Sequence, residues 1–279
     1  MNVQLKASFK KEFLAYFRTF KFLIIALVII GLAIINPLLI SGMGSLMDSM
    51  SDIYDEMGTD VSGMTEMLTE AASLGVESSV DGINVIGLVV LLLLLNKAAG
   101  GEQKKRAVII PRSAGLRSFA YIFPKFIVYP LSVLILAILA VFASWAVSIP
   151  LFENNDIVFS GVLLAGVLSG VHLMLYTCLH LTLGTATGKA GMSAAICISV
   201  SMLLPNILSI IGTDYMFNPF SLSVSAYFAV HSNTLSRSEL FDMAVTAGFA
   251  IGIMVVSYLI ALFAQNARKI DNSGNEIEL

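Results

Sequence analysis

Ser169, His172, Tyr176 and His180 recur at steps of three or four residues within one apolar run. Steps of that size place side chains on a single, slowly rotating stripe of an α-helix. Polar groups inside a membrane face a bundle interior or a cavity, where they line a pathway or hydrogen-bond across helices. The stripe fits both roles: candidate pathway-lining residues, or interhelical hydrogen-bond partners. It does not fit a metal centre, because Cys178 points to a different side of the helix from His172 and His180. Cys178 and Cys197 both lie in apolar runs, carry no metal-ligand spacing, and read as small packing residues.

Residues 184–190 (GTATGKA) imitate a nucleotide loop. The phosphate-binding motif needs four residues between its glycines and a Ser or Thr after the Lys. Here three residues separate Gly184 from Gly188, and Ala190 follows Lys189. The stretch also joins two apolar runs rather than a strand and a helix, so ATP binding by this chain is not expected. No hydrolase constellation is present, and the chain is not expected to be an enzyme. No Asp or Glu stands deep in the expected spans, so the buried carboxylates of many ion-coupled carriers are missing. If the chain pumps, its energy comes from another polypeptide.

The elements that must hold these residues follow from composition. Of 279 residues, 57% are hydrophobic and 13% charged. Soluble domains carry about 25% charged residues, so a water-soluble enzyme is excluded. Low Gly, Pro and charge exclude collagen-like and disordered chains, and two Cys exclude a disulfide scaffold. Six apolar runs, about 22–42, 83–97, 126–149, 158–183, 191–212 and 243–264, approach or exceed the ~20 residues that cross a bilayer as a helix. The first run is no signal peptide: a 21-residue amphipathic stretch precedes it, and it lacks a small-residue cleavage site. The expected fold is all-α: one polytopic domain over 1–279 with six transmembrane helices, an N-terminal interfacial helix and a cytoplasmic coupling helix.

Charge orients the chain. Every Lys and Arg except Arg237 falls in 1–21, in 97–125, at Lys189 or in the tail. Basic residues stay in the cytoplasm, which places both termini there and requires an even number of spans. Between Met43 and Gly82 stand nine acids and no Lys or Arg.

Within 1–21, Leu5, Phe9, Phe13, Tyr16, Phe17 and Phe20 form a helical stripe beside Lys6, Lys10 and Lys21. That pattern suits the headgroup boundary of an anionic leaflet; packing on the protein's own cytoplasmic surface is the alternative. Residues 43–82 read as an external pair of short amphipathic helices. Met43, Met47, Met50, Ile53, Tyr54 and Met57 form one face, Gly58-Thr59-Asp60 breaks it, and Met64, Met67, Leu68, Ala71 and Leu74 resume it. This spacing is that of a packing face rather than a copper site. Asn36-Pro37 and Pro205-Asn206 are expected to interrupt the first and fifth spans. Residues 213–236 suit a partly re-entrant external hairpin.

The most informative segment is the cytoplasmic loop 98–125. Val108, Ile109, Ile110 and Pro111 form a short apolar core flanked by Lys104, Lys105, Arg106, Arg112 and Arg117. Ordinary positive-inside flanking explains the charges but not the apolar core, which suits docking into a groove of a soluble partner. The order of elements, with Glu102 closing the second span, a basic loop with a Pro111-Arg112 step, and Lys125 opening the third, resembles the membrane subunit of a type-2 ABC exporter. Glu102, Pro111, Arg112 or Arg117, and Lys125 match the Glu, the Pro-and-Arg turn and the Lys of such permeases. The Gly-Thr-Leu step of the family is absent, and Arg106-Ala107-Val108 stands near its place. The resemblance covers the whole chain in layout and about 98–126 in motif.

The resemblance implies a permease pairing with a second copy or paralogue and with two separate ATPase subunits. ATP and Mg would be held by those ATPases, and no cofactor by this chain. The loop, with Glu102, Val108, Ile109, Ile110, Pro111, Arg112, Arg117 and Lys125, would couple ATP-driven closure to the spans. The lipid bilayer is the other expected partner, a bacterial plasma membrane the expected location, and no nucleic acid is expected. A secondary carrier or channel would want an intramembrane charge or inverted repeats. A membrane enzyme would want a catalytic dyad, to which only His172 and His180 could contribute.

Overall fold

The computed structural model describes residues 2–50, 72–102, 115–152, 157–210, 218–231 and 235–267. It also describes positions 53, 63, 68, 111, 113 and 154 and the tail residues 269–270 and 276–277. The helices are α1 (Asn2–Phe17), α2 (Lys21–Ser49), α3 (Ala72–Gly101), α4 (Ser118–Ser148), α5 (Phe159–Thr187), α6 (Ala190–Ile210), α7 (Leu222–Ala229) and α8 (Arg237–Ala267). A 3₁₀ turn, Pro219–Ser221, leads into α7, and α3 contains π-helical turns at Ile83–Gly87 and Lys97–Gly101. The only strand pairing among the described residues joins Lys269–Ile270 to Glu276–Ile277, so the fold is all-α.

Six helices, all but α1 and α7, are long and apolar enough to cross a membrane, and the chain is a multi-pass membrane protein. Each overlaps an expected span. Leu23, Ile24 and Leu27 on α2, and Phe249, Val255 and Leu259 on α8, are exposed, as lipid-facing side chains of a bundle should be.

α5 is the axis of the bundle. It packs against α3, α4, α6, α7 and α8, and its side chains are buried over most of its length. Gly166 and Gly170 permit the close approach of α4: a Cβ at Gly166 would stand 3.1 Å from Ile138 Cα, and one at Gly170 3.2 Å from Leu134 Cα. Small residues spaced by four are the usual means of bringing membrane helices together.

Several sequence expectations need correction. The second span is not the short 83–97 segment but α3, which begins at Ala72. Its first turns (ASLGVESSVDG) read as polar, yet Ser79 and Glu77 are buried because neighbouring helices supply their partners. Ser144 on α4 donates to Ser79 Oγ at 2.8 Å, and Glu77 Oε1 meets His231 Nε2 at 2.5 Å. α3 therefore carries two acids, Glu77 and Asp81, in its first turns, ahead of the expected segment 83–97. At the other end of the expected external hairpin, Met43 and Met47 belong to α2, which continues to Ser49. The breaker 58–60 and Met64, Met67 and Ala71 lie outside the described residues.

Neither proline pair breaks its helix. α2 runs through Pro37 and α6 through Pro205. Proline has no N–H, so Pro37 leaves the carbonyl of Ala33 without its helical donor. Ser79 Oγ on α3 donates to that oxygen at 3.2 Å, while Asn36 Nδ2 donates to Ser78 O at 2.9 Å. The neighbouring helix thus completes the backbone hydrogen bonding that the bilayer cannot. Where a re-entrant hairpin was expected within 213–236, α7 buries Leu222, Ala226 and Ala229 in the main core. Residues 211–217 and 232–234 lie outside the described residues.

Candidate functional site

The two ends of the loop 98–125 meet in a buried ion cluster. Tyr121, Lys125 and Tyr129 recur every four residues on α4, so helical geometry lines them up on one face. α1 and the end of α3 close over that face. Lys125 is 2% exposed, and its three donors are all used. Nζ reaches Glu102 Oε2 at 2.8 Å, Ala98 O at 3.0 Å and Tyr121 OH at 3.0 Å. Tyr121 OH donates in turn to Glu102 Oε2 at 2.8 Å, and its ring lies 4.4 Å from Nζ. Glu12 of α1, also 2% exposed, approaches Lys125 to 4.0 Å and accepts from Tyr129 OH at 2.8 Å. Lys11 bridges the two acids, 3.1 Å from Glu12 Oε1 and 2.9 Å from Glu102 Oε1.

Burial of a charge is tolerated only with an opposite charge and full hydrogen bonding. This cluster meets both conditions with two ammoniums against two carboxylates. Burial pushes the Glu102 carboxyl upward, but Lys125 and Lys11 outweigh it and hold the group at about 2. Glu102 is therefore ionised at neutral pH.

α1 holds the loop at two further places. Gln4 Nε2 donates to Gly115 O at 3.1 Å, near the loop's exit. The Phe9 ring packs edge-on to Phe123 at 5.9 Å. The loop's entry is fixed to α5 by backbone contact. A Cβ at Gly184 would lie 2.8 Å from Ala99 O, and one at Gly100 would lie 2.7 Å from Gly184 O. Gly188, the second glycine of the nucleotide-loop imitation, caps α5 at φ 68, a conformation that suits glycine. Both glycines of that imitation thus serve packing and helix termination.

Of the eight expected coupling residues, the structure brings Glu102 and Lys125 together. Pro111 is exposed, and Arg117 is exposed in extended conformation before α4. Val108, Ile109, Ile110 and Arg112 lie outside the described residues. Sequence reasoning missed Lys11, Glu12, Tyr121 and Tyr129. Two signals could have found them: Glu12 is the only acid within 1–21, and Tyr121, Lys125 and Tyr129 share the four-residue step.

The stripe on α5 is buried inside the chain: Ser169, Tyr176 and His180 are 0% exposed and His172 2%. Asn84, in the π-helical turn of α3, donates Nδ2 to Ser169 Oγ at 3.3 Å. His180 Nδ1 lies 2.8 Å from Ser193 Oγ on α6, and that hydroxyl also approaches His180 O at 2.8 Å. His172 and Tyr176 stack edge to face at 5.0 Å. Yet His172 Nδ1, Tyr176 OH, His180 Nε2 and Asn84 Oδ1 have no hydrogen-bond partner among the described residues. Cys178 and Cys197 are buried free thiols, and no group of three or more metal-binding side chains occurs among the described residues.

No protein-family model, curated protein or solved structure matches this chain.

Proposed function

We propose that the chain is the permease subunit of a type-2 ABC exporter, working with separate ATPase subunits and a second permease copy or paralogue. The observation that carries this reading is the ion cluster. Glu102 and Lys125 close the two ends of the loop 98–125 onto one another, and Lys11 and Glu12 tie both to α1. A force applied to that loop reaches α1, α3 and α4 together instead of dissipating in a flexible connection. Transmission of this kind needs a rigid element shared by the loop and the spans.

On this reading the basic end faces the cytoplasm of a bacterial cell, both termini lie there, and the ATPases bind ATP and Mg. Cargo leaves between two permeases. The test is isolation of the tagged chain from its native membrane. The reading predicts a co-purifying soluble ATPase whose binding is weakened by Arg112→Glu, with membrane insertion unchanged. Isolation without an ATPase, or with one indifferent to Arg112→Glu, contradicts it.

A carrier or channel without ATP is the second reading. It is favoured by the unpartnered polar atoms on α5 and by buried Glu77 in α3. Flux in vesicles driven by an ion gradient alone, and lost on His172→Phe, would select it.

A further inference from the structure

The expected aromatic stripe on α1 is split by the fold. Tyr16 and Glu12 turn inward, and Phe9 packs on Phe123. Lys6, Lys10, Phe13 and Phe17, at steps of four, three and four, form a separate line that is exposed throughout. The line is segregated along its length. Its first half carries two ammoniums, and neither is paired with a carboxylate among the described residues. Its second half carries two phenyl rings, 53% and 37% exposed, in tilted contact at 4.3 Å.

The apolar half does not stop at the end of α1. Phe20, 68% exposed, forms the corner into α2 at φ 58, a conformation a bulky side chain rarely adopts. Leu23, 56% exposed, continues the apolar surface onto the outer face of α2. That face borders lipid wherever α2 crosses a membrane. Gln4 meets Gly115 and Phe9 meets Phe123, so the cationic half of the line lies toward the start of α4, the end that would reach the headgroups.

We propose that this outward line of α1 is a binding site for an anionic phospholipid. Lys6 and Lys10 take the phosphate, and the acyl chains lie along Phe13, Phe17 and Leu23. The charge sequence selects the occupant: cations near an anionic surface gain affinity one by one, while exposed phenyl rings favour hydrocarbon over a soluble anion. Lys11, adjacent to Lys10, belongs to the ion cluster, so the lipid site and the loop anchor share one helix. The inference needs the membrane crossing but not the ATPase, and its test is independent of transport.

The experiment uses the full chain with Trp145→Phe and a reporter Leu14→Trp, in phosphatidylcholine nanodiscs. About one tenth of the lipid is replaced by dibrominated phosphatidylglycerol or, separately, by dibrominated phosphatidylcholine. The site predicts stronger tryptophan quenching by the anionic bromolipid, with enrichment falling about fivefold for each cation removed at low salt. Lys6→Gln with Lys10→Gln should make the two lipids equivalent, while fully brominated phosphatidylcholine still quenches. Added inorganic phosphate should leave the preference unchanged. Equal quenching by the two lipids in the reporter protein overturns the proposal. So does a preference that survives both substitutions, or the absence of quenching by fully brominated phosphatidylcholine.

Discussion

The ion cluster at the basic end and the polar stripe on α5 are both buried, but they solve burial differently. Around Lys125 every donor has an acceptor, and each acid faces an ammonium. Along α5, neutral groups suffice, and several are left with one polar atom unanswered. An unmatched charge in an apolar interior costs several kcal/mol or is neutralised, whereas a hydroxyl or imidazole can stay partly unmatched at lower cost. The cluster is therefore a lock on three elements, and the stripe is a buried polar seam that retains spare hydrogen-bonding capacity.

The largest expected break of this contrast is Lys125→Met. It leaves Glu12 and Glu102 with only the half-exposed Lys11 as a cation, which should cost about 3–5 kcal/mol of stability. Unfolding of the protein in nanodiscs measures it. Adding Glu102→Gln to that variant should restore part of the loss, since the two residues act as a unit.

A matched pair of tyrosines sharpens the same contrast. Tyr129→Phe removes a hydrogen bond to a carboxylate and should cost about 1.5–3 kcal/mol. Tyr176→Phe removes a buried hydroxyl that has no partner among the described residues, so it should lie within about 0.5 kcal/mol of the parent or stabilise it slightly. Equal losses in the two would show that the cluster and the stripe do not differ in this way.

Acid probes the cluster without a substitution. Glu102 is depressed to about 2 from an ordinary value of 4.5. A depressed carboxyl contributes stability that is fully present above pH 4.5 and is lost as pH falls toward 2. Stability of the parent should drop across that window, and Glu102→Gln should flatten this part of the profile.

Much of the architecture was legible because lipid imposes simple rules. Six apolar runs gave six helices, and Glu102 and Lys125 stood out by their place at the ends of a basic loop. What escaped reading depends on partners distant in sequence. The polar start of α3 resembles a surface helix until Asn36, Ser144 and His231 are seen to satisfy it. Pro37 resembles a break until Ser79 is seen to complete the carbonyl it frees. Glu12 resembles one acid of a surface helix until Tyr129 and Lys11 are placed against it. On α1, spacing identified an aromatic stripe, but only packing against α4 shows which rings turn in and which face outward.

The most direct test of the central claim follows the motion from loop to spans. Spin labels at Met43→Cys and Ile149→Cys would sit on the exposed far ends of α2 and α4, with Cys178 and Cys197 replaced by Ala. Distances between them would be measured in the complex with the proposed ATPase, with and without ATP. The account predicts an ATP-dependent distance change in the parent that is abolished by Glu102→Gln while ATP is still hydrolysed. An unchanged ATP response in a folded Glu102→Gln complex would contradict it.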